Sequence, residues 1–399
     1  MLAMILIGCG RTPVGQTDPE PPPEEPPVPV DAGPDASEPV PFRCSWDYGP
    51  EAVLRELPGS AFEAVGAYVG PDGRSLRILS RPAGQPGWLA TDLGGATLAE
   101  LDRFEVPPAG EGGSFTLETQ LFPIGSDGTV ELRRVQLASG GMETSGGCVV
   151  RRTQRDGEGV GEVLTVRRDL VDCHGYAYAP GALLVVAEGP GGDLSFHPVQ
   201  ARGTRGLELP APSEVRLADG DAVAGPTFGS WDGADGFQAI QLRADGRLAF
   251  LSVVGEELTE TVLGTLPGPA RLAPDLSAGR SFLLARDEVG RVSVAEADLA
   301  AGELAALRPV EPAVDADLTL RAALPIVQNE LLVVDRTGPS LRFVPVPRGS
   351  VASLPPPAPG ARGLRVVVQP SSRRAAVIYG VDGAGGGTSV RVRRLDCRL

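Results

Sequence analysis

Between Phe237 and Val254 the apolar positions fall into two short runs separated by Ala244-Asp245-Gly246-Arg247. Asp-Gly is the strongest short-range hairpin signal, because glycine tolerates the positive φ that a tight hairpin turn requires. The second run, Leu248 to Val254, is almost wholly apolar rather than alternating. That pattern belongs to a strand covered on both faces. One sheet alone cannot cover both faces of its strands, but a stack of sheets can.

The same punctuation recurs at Asp72-Gly73, Asp127-Gly128, Gly192-Asp193, Asp245-Gly246, Val289-Gly290, Thr337-Gly338 and Asp382-Gly383. Short β-rich runs follow, among them Leu76 to Leu79, Val130 to Leu132 and Leu341 to Val344. From Gly73 to Gly383 is 310 residues over six intervals. The resulting period of roughly 52 suits one sheet per repeat, which must pack against its neighbours to bury both faces. The pattern predicts an all-β chain, a β-propeller of about seven four-stranded blades, with six or eight as the neighbouring counts. A pair of β-sandwiches is the alternative. The longest interval, 64 residues from Gly128 to Gly192, reads as an extra-long hairpin with Cys148 and Cys173 at its base.

Composition narrows the picture. A hydrophobic share of 42% supports a real core, while Gly 53 and Pro 39 favour turns over helices. The net charge of −15 makes nucleic acid an unsuitable partner. Every cation is arginine, since no lysine occurs.

The chain divides at its N-terminal end. Residues 1–9 form an apolar run, too short to span a bilayer, that ends at a cysteine. Residues 10–41 hold a Pro/Glu-rich stretch, Asp18 to Val30, without helical or strand periodicity. Such a linker extends as polyproline II, and some 30 residues at roughly 3.1 Å each reach about 90 Å. The globular part is predicted to run over 42–399. Leu6-Ile7-Gly8-Cys9 resembles the lipobox of bacterial lipoproteins. The resemblance implies acylation of Cys9, a membrane partner through that lipid anchor, and, with no Asp at position 10, the outer membrane. Stable anchoring of this kind needs more than one acyl chain.

Three segments resemble the Ser-Pro-Asp-Gly-Arg-x-apolar repeat of TolB-like and YVTN-type propellers. They are Gly70-Pro-Asp-Gly-Arg74, Ala273-Pro-Asp-Leu-Ser-Ala-Gly-Arg-Ser-Phe-Leu-Leu284 and Val368-Gln-Pro-Ser-Ser-Arg-Arg-Ala-Ala-Val-Ile378. The resemblance supports the fold, and folds of this kind host many functions.

Candidate chemistry is sparse. The two histidines, His174 and His197, lie in no zinc-protease motif, and there is no nucleophile elbow or phosphate-binding loop. Asp172-Cys173-His174 has the residue types for thiol chemistry, yet neighbours on a strand point to opposite faces. With Cys9 acylated, Cys44, Cys148, Cys173 and Cys397 remain, an even number that permits three pairings. Cys148 and Cys173 are expected to pair locally. A Cys44–Cys397 bridge would then lock an N-terminal strand against the C-terminal blade. Asp219, Asp221, Asp232 and Asp235 offer closely spaced oxygen ligands for Ca²⁺, outside the EF-hand pattern; no other cofactor is expected. These readings point to a lipid-anchored envelope scaffold that binds a protein or small ligand through its loops, with outer-membrane assembly as the specific version. The alternative is a hydrolase or lyase using Asp and Arg side chains around a central channel.

Overall fold

The structure, a computed structural model, describes residues 44–69, 73–85, 87–107, 115–124, 128–138, 144–153, 160–179, 182–190, 193–202, 206–210, 212–216, 228–231, 236–242, 246–254, 257–266, 270–275, 280–286, 289, 291–298, 303–311, 323–327, 330–335, 340–346, 351–369 and 374–398. The chain separates into two units, Met1–Phe42 and Arg43–Leu399, and all described residues belong to the second.

These residues form seven antiparallel sheets, each built from consecutive strands apart from one crossover. Blade 1 comprises Phe62–Val69, Ser75–Pro82, Trp88–Gly94 and Glu100–Val106. Blade 2 comprises Phe115–Ile124, Gly128–Ala138, Thr144–Thr153 and Val160–Arg168. In blade 3, Asp172–Ala179, Ala182–Glu188 and Asp193–Arg202 are followed by a broken fourth strand, Gly206–Glu208 and Ser213–Arg216. Blade 4 runs through Phe228–Trp231, Gly236–Leu242, Arg247–Val254 and Glu257–Thr265. Blade 5 holds Ala270–Asp275, Arg280–Arg286 and Val292–Asp298, again with a broken fourth strand, Glu303–Leu304 and Arg308–Pro309. Blade 6 holds Ala323–Val327, Glu330–Val334, Leu341–Pro345 and Ala352–Leu354. Blade 7 takes Arg362–Gln369, Arg374–Asp382 and Thr388–Arg398 from the end of the globular unit, and its outer strand, Ser45–Leu57, from the beginning.

First strands carry the ring. Phe62–Val69 lies between Arg362–Gln369 and Phe115–Ile124, and Asp172–Ala179 lies between Phe115–Ile124 and Phe228–Trp231. Ala323–Val327 lies between Ala270–Asp275 and Arg362–Gln369, and blades 4 and 5 touch through their fourth strands. The fold is a seven-bladed β-propeller. At the blade 7–blade 1 seam the first strands come so close that a Cβ on Gly66 would sit 2.8 Å from Val367 Cγ2.

The core sits between blades rather than within one. Each of the five apolar clusters among the described residues straddles a seam: blades 1–2, 2–3, 5–6, 6–7 and 7–1. That is why middle strands lose their alternation. Leu331, Leu332 and Val333 are consecutive and all 0% exposed, so one face of blade 6 packs on blade 5 and the other on blade 7. Leu248 and Ala249 in blade 4 are likewise buried. Each fully buried Leu or Val contributes about 1.5–3 kcal/mol by leaving water.

The recurring Gly-containing turn marks a different hairpin in different blades. In blades 1 and 2 it joins the first two strands, whereas in blades 3 to 7 it joins the second and third. The 64-residue interval from Gly128 to Gly192 records this switch and is not an extra-long hairpin.

A polar latch sits at the blade 1–blade 2 seam. Arg77, 0% exposed, donates from Nε and Nη2 to the two carboxylate oxygens of Asp92, at 2.7 and 2.8 Å. Its Nη1 donates across the seam to Thr153 O at 2.9 Å and to Thr129 Oγ1 at 3.3 Å. Burying a guanidinium is tolerable only with such full pairing.

Candidate functional site

The residues singled out by sequence fall into three groups. Cys9 and the linker lie outside the described residues, as do Asp219, Asp221, Asp232 and Asp235. Among the described residues no group of three or more His, Cys, Asp or Glu is arranged to hold a metal. The other four cysteines form two disulfides.

Cys44 and Cys397 are bonded with their Cα atoms 4.9 Å apart at a sequence separation of 353. Cys44 immediately precedes the outer strand of blade 7, and Trp46 on that strand is in register with Cys397. The bridge therefore ties the two ends of the globular unit at the ring closure. Trp46 reaches further, into the blade 6–blade 7 core, where its Nε1 donates to Glu330 Oε2 at 2.8 Å.

Cys148 and Cys173 are also bonded, with Cα atoms 6.3 Å apart. They do not flank one hairpin. Cys148 lies on the third strand of blade 2 and Cys173 on the first strand of blade 3, so the bridge staples two blades. The apparent single run from Val163 to Cys173 breaks at Asp169, whose φ of 55° takes the chain out of one sheet and into the next. Asp tolerates this left-handed conformation better than most residues. Both sulfurs are enclosed by apolar neighbours from the two blades, including Val130, Val150, Leu183 and Val199.

Around this staple the structure gathers both histidines of the chain. On blade 3, Asp193, Ser195 and His197 alternate along one strand and so share a face. Arg167, from the fourth strand of blade 2, donates from Nη1 to Ser195 Oγ at 2.6 Å and pairs with Asp193 through Nη2. His197 Nε2 lies 2.8 Å from Ser195 Oγ. Burial first, then the Arg167 charge, pushes the His197 pKa down to about 4, which keeps the ring neutral. Near the start of the blade, His174 Nε2 lies 2.7 Å from Asp172 Oδ2, and Arg134 Nη1 lies 3.2 Å from Asp172 Oδ1. Glu188 is in register with Asp172. Burial, reinforced by the charges of Asp172 and Asp193, pushes its pKa up to about 7.

Ser195 and His197 have the residue types of a nucleophile and its base. Their setting is different: Ser195 is 0% exposed, and its oxygen already accepts from Arg167. The arrangement clamps blade 2 onto blade 3 and leaves the hydroxyl no approach for a substrate. Asp193-x-Ser195-x-His197 carried a readable period-two signal. What the sequence did not display was Arg167, which arrives from the neighbouring blade.

No protein-family model matches the chain, and no curated protein matches it. Several solved structures are similar to it. The WD40 domain of Toxoplasma gondii coronin shares 12% identity, covering 89% of this chain and 87% of that one, with a TM-score of 0.47. The BP39L lectin from Burkholderia pseudomallei shares 14% identity, covering 82% of this chain and 98% of that one, with a TM-score of 0.47. The β-propeller domain of the Trilobed protease from Pyrococcus furiosus shares 10% identity, covering 80% of this chain and 92% of that one, with a TM-score of 0.46.

Proposed function

We propose that this propeller is a binding scaffold of the bacterial cell envelope, lipid-anchored through Cys9 to the outer membrane and held off it by the Pro/Glu-rich linker. Its loops would engage an envelope protein or a small ligand, with outer-membrane assembly as the specific role. The observation that carries the reading is the pairing of all four remaining cysteines, one pair at the ring closure and one across a seam. Structural disulfides persist in oxidising compartments and are rare in the cytosol. That address agrees with the lipobox resemblance of Leu6-Ile7-Gly8-Cys9.

A hydrolase or lyase would instead need titratable groups converging on an open pocket. The buried carboxylates among the described residues are engaged otherwise. Asp92 is bound by Arg77, Glu131 by Arg133 and Arg151, Glu330 by Trp46 and Asp335 by Arg342. These pairs support the binding reading.

The test is fractionation followed by cross-linking in intact membranes. The native protein should partition with the outer membrane, Cys9→Ser should become soluble, and cross-linking should recover a stoichiometric envelope partner. A native protein found in the soluble fraction overturns the anchor. An anchored protein without a stoichiometric partner overturns the assembly role.

A further inference from the structure

The strand that closes the ring is also where the chain enters the globular unit. Ser45–Leu57 sits at the edge of the blade 7 sheet and pairs with Thr388–Arg398. The two run antiparallel, with Ser45 opposite Arg398 and Leu57 opposite Thr388. Tension arriving along the chain from residues 1–43 therefore meets the strand at its first residues and acts to lift it from that end. In an antiparallel pair the hydrogen bonds lie across the strands, so such a pull loads them one after another instead of together. Terminal segments open at the lowest free-energy cost, and an edge strand loaded this way peels easily unless its leading end is fixed.

Restraints are concentrated at that leading end. Cys44, just ahead of the first strand pair, is bonded to Cys397. Trp46 is buried and donates to Glu330 of blade 6. Asp47 pairs with Arg398 at 2.7 Å, and the Tyr48 hydroxyl donates to Pro355 O at 2.6 Å. All of these precede the register shift between Tyr48 and Glu51, where the pairing is interrupted. The bridge differs from the rest in being covalent and in where it leads. Thr388–Arg398 is an inner strand, flanked by Arg374–Asp382 on one side and by the closing strand on the other. Its Val390 and Val392 are both 0% exposed. A load delivered to Cys397 must drag this strand from between two neighbours.

We infer that the leading end of the closing strand is a load-bearing strap. Tension entering at Cys44 crosses the bridge into Thr388–Arg398, so the closing strand is not peeled and the ring stays shut under pull. A propeller that grips a partner while held by its linker is loaded in this way. The strap belongs to the globular unit and does not depend on the lipid anchor.

Optical-tweezers stretching of the full chain tests it. One handle is placed on the N-terminal linker and the other on a click-reactive residue at position 289, where Val289 is 74% exposed in blade 5. With the bridge intact, no short step should precede the unfolding of blades. Dithiothreitol is then added to native chain that is already folded and held under tension. Once the bridge is cut, a first step of about 45 Å should appear at lower force, the 13 residues of Ser45–Leu57 peeling at roughly 3.4 Å each. Cys44→Ser combined with Cys397→Ser should give the same early step without reductant. The native chain keeps the test decisive if that double variant does not fold. The strap is overturned if the early step occurs at the same force with the bridge intact. It is equally overturned if cutting the bridge produces no early step, because Trp46 and Tyr48 would then hold the strand unaided.

Discussion

Trp46 lies flat on Phe343, with ring centroids 5.0 Å apart and planes 8° from parallel. One ring comes from the N-terminal strand that completes blade 7 and the other from the middle of blade 6. The contact holds the closing strand to a blade it does not pair with. Trp46→Ala should cost about 3–5 kcal/mol, the usual range for deleting a buried aromatic. Trp46→Phe keeps the stack but loses the donor to Glu330, and should cost less, about 1–2 kcal/mol. Urea unfolding measures both. Equal losses from the two variants would show that the indole donor, not the stack, carries the contact.

The two disulfides should differ in worth because they close loops of different length. Their sequence separations are 353 and 25 residues. In the chain-entropy picture these correspond to roughly 6 and 3.5 kcal/mol, although measured gains often fall short. Cys397→Ser is therefore expected to lower the unfolding midpoint more than Cys148→Ser. Thermal melts of the two single variants decide it, and the reverse order would mean that the blade 2–blade 3 staple dominates.

The blade count and the closing bridge were legible because each rests on a local or terminal signal. Asp-Gly turns report hairpins wherever they fall, and Cys44 and Cys397 bracket the globular unit. The Cys148–Cys173 pairing was legible too, but its setting was misread as a single hairpin, for a physical reason. Arg167-Arg168-Asp169-Leu170-Val171-Asp172 looks continuous with both flanking strands, and only the backbone conformation at Asp169 separates the sheets. The seam chemistry was not legible at all. Arg77 meets Thr153 and Arg167 meets Ser195 only after whole blades stack, and no sequence spacing encodes that meeting.

Two groups at the blade 2–blade 3 seam make stability depend on pH in opposite senses. Glu188 is raised from 4.5 to about 7, so between these values the native state holds more protons there than the unfolded chain. Its contribution is present below pH 4.5 and is lost as pH rises through 7. His197 is lowered from 6.5 to about 4. Its contribution is present above pH 6.5 and is lost as pH falls through 4. Glu188→Gln should therefore be more stable relative to the native chain at pH 8 than at pH 4.5. Denaturant unfolding across that range measures the difference, and a pH-independent offset between the two proteins would refute the assignment.

The Arg77–Asp92 latch allows the sharpest test, because its two partners fail differently alone and together. Asp92 is 1% exposed and is gripped by two hydrogen bonds from Arg77. Arg77→Met strands a carboxylate in the seam, and breaking a buried pair in this way costs about 3–5 kcal/mol. Asp92→Leu strands the guanidinium, although Thr153 O and Thr129 Oγ1 still accept from it, so its cost should be the smaller. The double variant leaves no buried charge at the latch, and apolar replacements of buried pairs are often close to neutral. It should therefore be more stable than Arg77→Met alone. The interaction energy from the four-member cycle isolates the pair from the packing changes each substitution brings. An additive cycle, with the double variant losing the sum of the singles, would mean that the latch acts through Thr153 and Thr129 rather than through Asp92.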